Sequence, residues 1–178
     1  MIGKTDTQSY CVEASSWQPA LEAARRGLNV VLACPQKHPG GMAASGLCTT
    51  DAVRRHLFGG IVLEFVSRVR EEYAATLGEQ STDFKLIHDG WYYEPSVAQR
   101  VFEKMLAAES ARLTYLPAHH LFSAAIEKGK IKSVQLEGPK GDKRTFSAET
   151  YIDGTYEGDM AAAAKAPYRV GREARDEF

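Results

Sequence analysis

The sequence predicts an α/β fold with a parallel sheet, and three observations carry this prediction. Residues 28–33 (LNVVLA) form a short apolar run that is typical of a strand buried on both faces. Near the other end, a strand-forming segment stops at Asp153 and Gly154, and a second pair, Gly158 and Asp159, precedes an Ala-rich helix. Amphipathic helical segments lie between these two strands. Strand ends of this kind bring backbone N–H groups and a carboxylate to a nucleotide in α/β proteins.

Composition favours one domain that binds neither nucleic acid nor membrane. The 178 residues include 22 basic and 23 acidic side chains, which gives a formal net charge of -1 and no basic footprint. No run of 18 apolar residues and no signal-peptide pattern is present. Cys11, Cys34 and Cys48 are odd in number and lack C-x-x-C spacing, which argues against disulfides and zinc. We therefore expect free thiols, no metal and a cytoplasmic location.

The first strand leads into a glycine pair. It runs through Cys34 towards Gly40, Gly41 and Met42, and two adjacent glycines after a strand let a ligand approach the backbone closely. A plain turn explains the same pair equally well, so both interpretations remain open.

The middle of the chain predicts two helices. Between residues 52 and 77 the apolar residues recur every four positions, which indicates an amphipathic helix with its stripe in the core: Leu57, Ile61, Phe65, Val69 and Tyr73. Pro95 suits the first turn of a second helix that ends near Glu109. Residues 84–93 between them predict a loop or short strand. The aromatic triplet at 91–93 either packs on the helices, which we favour, or lines a pocket.

Short strands follow the second helix. Residues 113–116 predict one strand, residues 120–126 and 131–136 predict a hairpin, and residues 144–146 lead to the strand at Tyr151. We therefore expect a helical insertion over about 52–110 and a β-meander over about 112–150. His119 and His120 point to opposite faces of a strand, so they do not share a metal ion.

Five segments, in this order, resemble the FAD-dependent oxidoreductase family, whose flavin domain has the glutathione-reductase-type fold. They are residues 23–32, 39–42, 45–51, 151–159 and 170–174. The resemblance implies a Rossmann-like FAD/NAD(P)-binding domain, with the antiparallel meander over the parallel sheet. It covers the chain from about Ala20 onward, and we expect residues 1–178 to form a single, incomplete domain of this type.

The same resemblance implies FAD as the cofactor and a small molecule as the substrate. The implied cofactor-binding residues are Gly40, Gly41, Met42, Asp153, Gly154, Thr155, Gly158 and Asp159, with His120 in the adenine-side segment 118–121. No nucleophile motif is present, so any redox chemistry would belong to the flavin, and we assign no catalytic residue.

The chain departs from the family in two places that hold FAD. The glycine-rich turn that cradles the pyrophosphate should fall near residues 11–16, which contain no glycine, and the polar residues 1–10 lack the run expected of a central strand. Cys34 occupies the place of the acid that binds the ribose.

Two hypotheses follow from these matches and departures. The chain is an FAD-dependent oxidoreductase or a fragment of one, or it is a non-catalytic remnant of the flavoprotein fold that acts as an interaction module. If residues 1–10 do not supply the central strand, the sheet has an open edge. We then expect self-association or a partner chain.

Overall fold

The computed structural model describes residues 9–13, 17–172 and 175. Seven strands form a parallel sheet of order β3-β2-β1-β7 and an antiparallel sheet of order β4-β5-β6. The strands are β1 Ser9–Glu13, β2 Asn29–Cys34, β3 Leu113–Pro117, β4 His120–Glu127, β5 Lys130–Glu137, β6 Lys143–Phe146 and β7 Thr150–Ile152. The α-helices are α1 Trp17–Arg25, α2 Gly41–Ser45, α3 Gly60–Leu77, α4 Thr82–Lys85, α5 Pro95–Ala108 and α6 Asp159–Ala163. None of these described helices is long and apolar enough to cross a membrane.

The strand β1 lies inside the parallel sheet. Ser9 pairs with Asn29 of β2 on one side, and Tyr10 pairs with Thr150 of β7 on the other. Residues 9–13 therefore occupy the central position, and the condition under which the sheet would have an open edge there is not met. Residues 11–13, where the glycine turn was expected to begin, continue this strand. Residues 1–8 and 14–16 lie outside the described part of the chain.

The strand β3 belongs to the parallel sheet and not to the meander. Its residues pair with β2 in parallel register, from Val30 opposite Leu113 to Cys34 opposite Pro117. The antiparallel sheet therefore begins at His120, later than the expected start near residue 112. Its hairpin closes around Lys128 and Gly129, as the sequence predicts.

Helices cover one face of the parallel sheet. Residues of α1, α3 and α5 form the larger hydrophobic cluster with β2 and β3. The helix α3 begins at Gly60 and not near residue 52, because a short 3-10 turn at Arg55–Leu57 precedes it. Leu57 consequently lies outside the apolar stripe and is 68% exposed. The helix α5 begins at Pro95, and its C-cap is Glu109, as predicted.

The segment between these two helices is more helical than the sequence predicts. Residues 84–93 contain the end of α4 and a 3-10 turn at His88–Gly90, and Tyr92 makes an isolated bridge to Thr49. Trp91 and Tyr93 are buried among the helices. The packing interpretation of the aromatic triplet is therefore correct for Trp91, whereas Tyr93 both packs on the helices and lines a cavity, as the alternative interpretation expects.

The antiparallel sheet covers the other face. A smaller cluster joins β2 and β3 to β5: its buried members are Val31, Ala33, Leu116, Val134 and Leu136. The parallel sheet is thus enclosed by helices on one side and by the antiparallel sheet on the other.

One ion-pair network ties the helical layer together. Arg25 of α1 contacts Glu64 of α3 at 2.6 Å and Glu109, which follows α5, at 3.0 Å. The hydrogen bond from Arg25 is the main reason that the pKa of Glu64 lies below its ordinary value. The helices α1, α3 and α5 are therefore joined by ion pairs as well as by apolar contacts.

Candidate functional site

A cavity of about 300 Å³ opens at the carboxyl edge of the parallel sheet. The segments that follow β1, β2 and β7 all reach it, because the carboxyl ends of parallel strands lie at one edge of a sheet. The helices α3 and α5 and the segment around Thr50 form the remaining wall. The lining residues are Trp17, Gln18, Gly40, Gly41, Met42, Ala43, Thr50, Val62, Phe65, Val66, Tyr93, Phe102 and Tyr156.

Aromatic rings form the inner wall of the cavity. Phe65 stacks on Phe102 with ring centroids 4.5 Å apart, and Trp17 meets Phe102 edge-on at 4.6 Å. Tyr93 completes the group with an edge contact to Phe65 at 5.4 Å. Phe65, Phe102 and Tyr93 are buried, so the wall is preformed and apolar. Such a surface suits a flat ring system.

The two glycines at the mouth of the cavity have different neighbours. Gly40 has a φ of 107°, and a Cβ there would lie 2.4 Å from the ring of Phe102. Packing between α2 and α5 therefore requires Gly40, and its role in cofactor binding stays a prediction. Gly41 has a φ of 50°, and a Cβ there would lie 3.3 Å from the hydroxyl of Tyr156. Met42 stands exposed on the rim.

The loop from Asp153 to Asp159 is held by its own hydrogen bonds. The Oδ1 atom of Asp153 accepts from the backbone N–H and the hydroxyl of Thr155, at 3.0 and 2.7 Å. Its Oδ2 atom accepts from the N–H of Ala161 at 2.8 Å, and the Thr155 hydroxyl oxygen accepts from the N–H of Asp159 at 2.8 Å. Gly158 adopts the left-handed conformation before α6. The carboxylate of Asp153 thus shapes the loop that presents Tyr156.

These bonds change the acidity of Asp153. Partial burial raises the pKa of its carboxyl group. Hydrogen bonds from Thr155, Ala161 and Met160 together lower this pKa by more than burial raises it, so the pKa lies below its ordinary value. A lowered pKa means that the ionised group stabilises the fold above its unfolded pKa of about 4. This stabilisation is lost as the pH falls through the lower folded pKa.

We expect Asp153→Asn to lower the free energy of unfolding by about 1 kcal/mol at pH 7, because the amide keeps one uncharged acceptor oxygen and puts an NH2 donor in place of the other carboxylate oxygen. The difference from the wild type should shrink as the pH falls below about 4 and through the lower pKa of the folded wild-type carboxyl group. Urea unfolding at pH 7 and at pH 3 measures both effects. The exposed control Asp51→Asn should change stability by less than about 0.5 kcal/mol. A pH-independent loss for Asp153→Asn would contradict this account.

The implied cofactor residues do not all meet in the cavity. Gly40, Gly41 and Met42 line it, and so does Tyr156 from the loop between Asp153 and Asp159. The cavity lining does not include the remaining implied residues: His120, Asp153, Gly154, Thr155, Gly158 and Asp159. Their assignment to the cofactor stays a prediction.

His120 lies away from the cavity at the start of β4. Its side chain is 58% exposed, and its Nε2 atom is 4.0 Å from Oε2 of Glu137. The preceding residues lie beside the end of β2, because the N–H of Ala118 donates to the carbonyl of Gln36 and that of His119 to the carbonyl of Cys34. Within the described residues, no three His, Cys, Asp or Glu side chains form a group that could hold a metal ion.

Cys34 ends β2 in a buried position, with 4% of its surface exposed. Tyr115 of β3 lies beside it, and burial is the main reason that the pKa of the Tyr115 hydroxyl is raised. The end of β2 is therefore buried and has a thiol and a phenol as its polar side-chain groups.

Sequence reasoning missed several cavity residues. Phe65 and Phe102 carry the apolar periodicity of α3 and α5, which marks them as core and does not show that one ring edge faces a cavity. Trp17 has no periodic signal at all, since it opens α1. Tyr156 lies inside the matched segment 151–159, and that position is the signal that could have found it.

A parallel sheet enclosed by helices and an antiparallel sheet, with a cavity at its carboxyl edge, defines a Rossmann-like FAD/NAD(P)-binding domain. The family model for FAD dependent oxidoreductases matches residues 13–178. The chain therefore belongs to the FAD-dependent oxidoreductase family. Comparison with curated proteins gives no match.

Solved flavoproteins share the fold at low sequence identity. L-proline dehydrogenase from P. horikoshii has a TM-score of 0.55 at 13% identity, with 93% of this chain and 57% of that chain covered. Glycerol-3-phosphate dehydrogenase from Bacillus halodurans, complexed with FAD, has a TM-score of 0.53 at 10% identity, with 90% and 37% covered. The aromatic hydroxylase CabE has a TM-score of 0.52 at 19% identity, with 89% and 33% covered. The chain thus spans between a third and just over half of the length of these proteins.

Proposed function

We propose that this chain is the flavin-domain portion of an FAD-dependent oxidoreductase of the glutathione-reductase structural type, and that its cavity holds the flavin. The observation that carries the proposal is the convergence of the segments after β1, β2 and β7 on one apolar cavity. Membership of the family supports FAD as the cofactor. When bound, the flavin supplies the redox chemistry, and this chain's residues bind and orient it.

The residues of the cavity fit the ring part of a flavin. Phe65, Phe102 and Tyr93 offer apolar surface to a flat ring, and Gly41 lies at the mouth with the hydroxyl of Tyr156 close to its backbone. Polar side chains are few, and they come from Gln18, Thr50 and Tyr156. A mostly apolar pocket with a few polar groups that fix orientation is the usual form of a cofactor site. The small-molecule substrate and the cytoplasmic location stay predictions. Self-association or a partner chain is untested, and β1 fills the edge that motivated it.

Filling the cavity should weaken flavin binding. Ala43 lines the cavity at the start of α2, so we expect Ala43→Trp to weaken binding of FAD at least tenfold while the helical content stays unchanged. Titration of flavin fluorescence with purified protein, after removal of any flavin already bound, measures the affinity. Circular dichroism checks the fold.

The matched control is Ala75→Trp, an exposed alanine of α3 that does not line the cavity. This variant should bind FAD within twofold of the wild type. A wild-type protein that binds neither FAD nor riboflavin would refute the proposal and favour the non-catalytic interaction module. Equal binding by Ala43→Trp and the wild type would place any flavin elsewhere.

A further inference from the structure

We infer that the cavity recognises the ring of a flavin and not the adenylate half of FAD, so that flavins without adenylate bind about as tightly as FAD. This inference rests on the proposed function, since it assumes that the cavity holds a flavin. It departs from dinucleotide-binding folds in general, where the helix after the first strand and the acid after the second strand hold the nucleotide.

The N-terminus of α1 is poorly suited to a pyrophosphate. Pyrophosphate groups bind to free N–H donors at the start of a helix, next to glycine residues that let the backbone approach closely. Here Pro19, the third residue of α1, has no N–H, which removes one of the free donors of the first turn. No glycine occurs between Lys4 and Arg26 to allow close approach of the backbone.

A large side chain also occupies this helix start. The ring of Trp17 packs on Phe102 at 4.6 Å and lies 6.5 Å from Phe65. It is therefore held on the wall of the cavity by two buried rings. The described residues at this helix start therefore present an aromatic surface, where a dinucleotide site would present N–H donors to the phosphates.

The end of β2 is equally unsuited to a ribose. A carboxylate at this place accepts hydrogen bonds from the ribose hydroxyl groups in dinucleotide-binding domains. Cys34 stands there instead, with 4% of its surface exposed, and its carbonyl oxygen accepts the N–H of His119. A thiol is a weak acceptor, so it replaces the carboxylate poorly.

The cavity itself has the properties that a ring needs. Its volume of about 300 Å³ lies at the lower end of the range for small-ligand pockets, about 300 to 1,000 Å³. Trp17, Phe65 and Phe102 provide flat apolar surface, and the hydroxyl of Tyr156 stands over Gly41 at the mouth. Among the described residues, the contacts offered to a flavin are thus concentrated on the ring half.

Parallel titrations with FAD, FMN, riboflavin and ADP test the inference. We expect the dissociation constants of FAD, FMN and riboflavin to agree within about threefold, and we expect ADP at millimolar concentration to leave riboflavin binding unchanged. An affinity for FAD more than tenfold above that for riboflavin, or competition by ADP, would overturn the inference and leave the proposed function standing. Absence of binding by all three flavins would overturn both.

The variant Trp17→Ala gives a second test. Loss of one aromatic wall should weaken FAD and riboflavin by the same factor, about tenfold, and Trp17→Phe should restore most of the affinity. A loss confined to FAD would overturn the inference, because it would show that this helix start serves the adenylate half. Near-ultraviolet circular dichroism reports whether the aromatic packing around Phe65 and Phe102 survives.

Discussion

Replacement of Gly90 by alanine is expected to lower the free energy of unfolding by about 3 kcal/mol or more. Gly90 has a φ of +92°, and a Cβ there would lie 2.2 Å from the carbonyl oxygen of Val66 and 3.2 Å from the backbone N of Arg70. Both atoms belong to the backbone of α3, which cannot turn aside as a side chain can. The methyl group would therefore push the segment that carries Trp91 and Tyr93 away from the helix.

Urea unfolding of Gly90→Ala beside a matched control separates the steric contact with α3 from the cost of a positive φ for alanine. The control is Gly27→Ala, because Gly27 has a φ of +86° and a Cβ added there would meet nothing within 4 Å. We expect the control to lose only the conformational cost of about 1–2 kcal/mol. Equal losses for the two variants would contradict the close contact with α3. Because Val66 and Tyr93 line the cavity, flavin affinity should fall with Gly90→Ala and not with the control.

The second large effect is expected at Phe102. Its side chain is 3% exposed, stacks on Phe65 and meets Trp17, and it fills the space that Gly40 leaves open. Phe102→Ala should lower the free energy of unfolding by about 3–5 kcal/mol, because it removes a buried ring and leaves a cavity. The same change widens the cavity that we propose for the flavin and removes part of its wall, so flavin affinity should fall as well.

The control for this variant is Phe122→Ala. Phe122 is 49% exposed on the antiparallel sheet, where the centroid of its ring lies 3.1 Å from Nζ of Lys143. The loss of this contact should lower stability by about 1 kcal/mol or less and leave flavin binding unchanged. Chemical denaturation and flavin titration of the two variants measure both effects. A Phe102→Ala variant as stable as Phe122→Ala would show that the helical layer does not depend on this ring.

Local patterns were sufficient to predict much of the fold. Neighbouring residues alone predict the strand β2, from its apolar run, and the start of α5 at Pro95. The structure confirms both. The hairpin around Lys128 and Gly129 is likewise a short-range feature. The α/β class follows from these elements, since strands alternate with helices.

Other elements depend on partners far along the chain. The strand β1 has a short, partly polar sequence and takes its place through pairing with β2 and β7, which no local pattern reveals. The strand β3 is short and by its sequence could join either sheet, and only its register with β2 decides. The start of α3 was misplaced because Leu57 fits the helical period although a 3-10 turn precedes Gly60.

The candidate site was less predictable than the fold. Gly40, Gly41 and Met42 were found because glycines after a strand are visible in sequence, and they do line the cavity. The rings of Phe65 and Phe102 look like ordinary core residues, because a cavity wall and a core share the same apolar period. Which side chains face an opening depends on how three helices pack, and that information is not local.

The position of β7 also governs the order in which this molecule can be assembled. Tyr10 and Thr150 are neighbours in the sheet although most of the chain lies between them. During synthesis from the N-terminus, β1 can pair with β2 early, but its second edge must wait until residues 150–152 leave the ribosome. We therefore expect slow, late completion of the sheet, as is usual for folds dominated by non-local pairing. Nascent chains that stop before residue 150 should engage chaperones through this waiting edge.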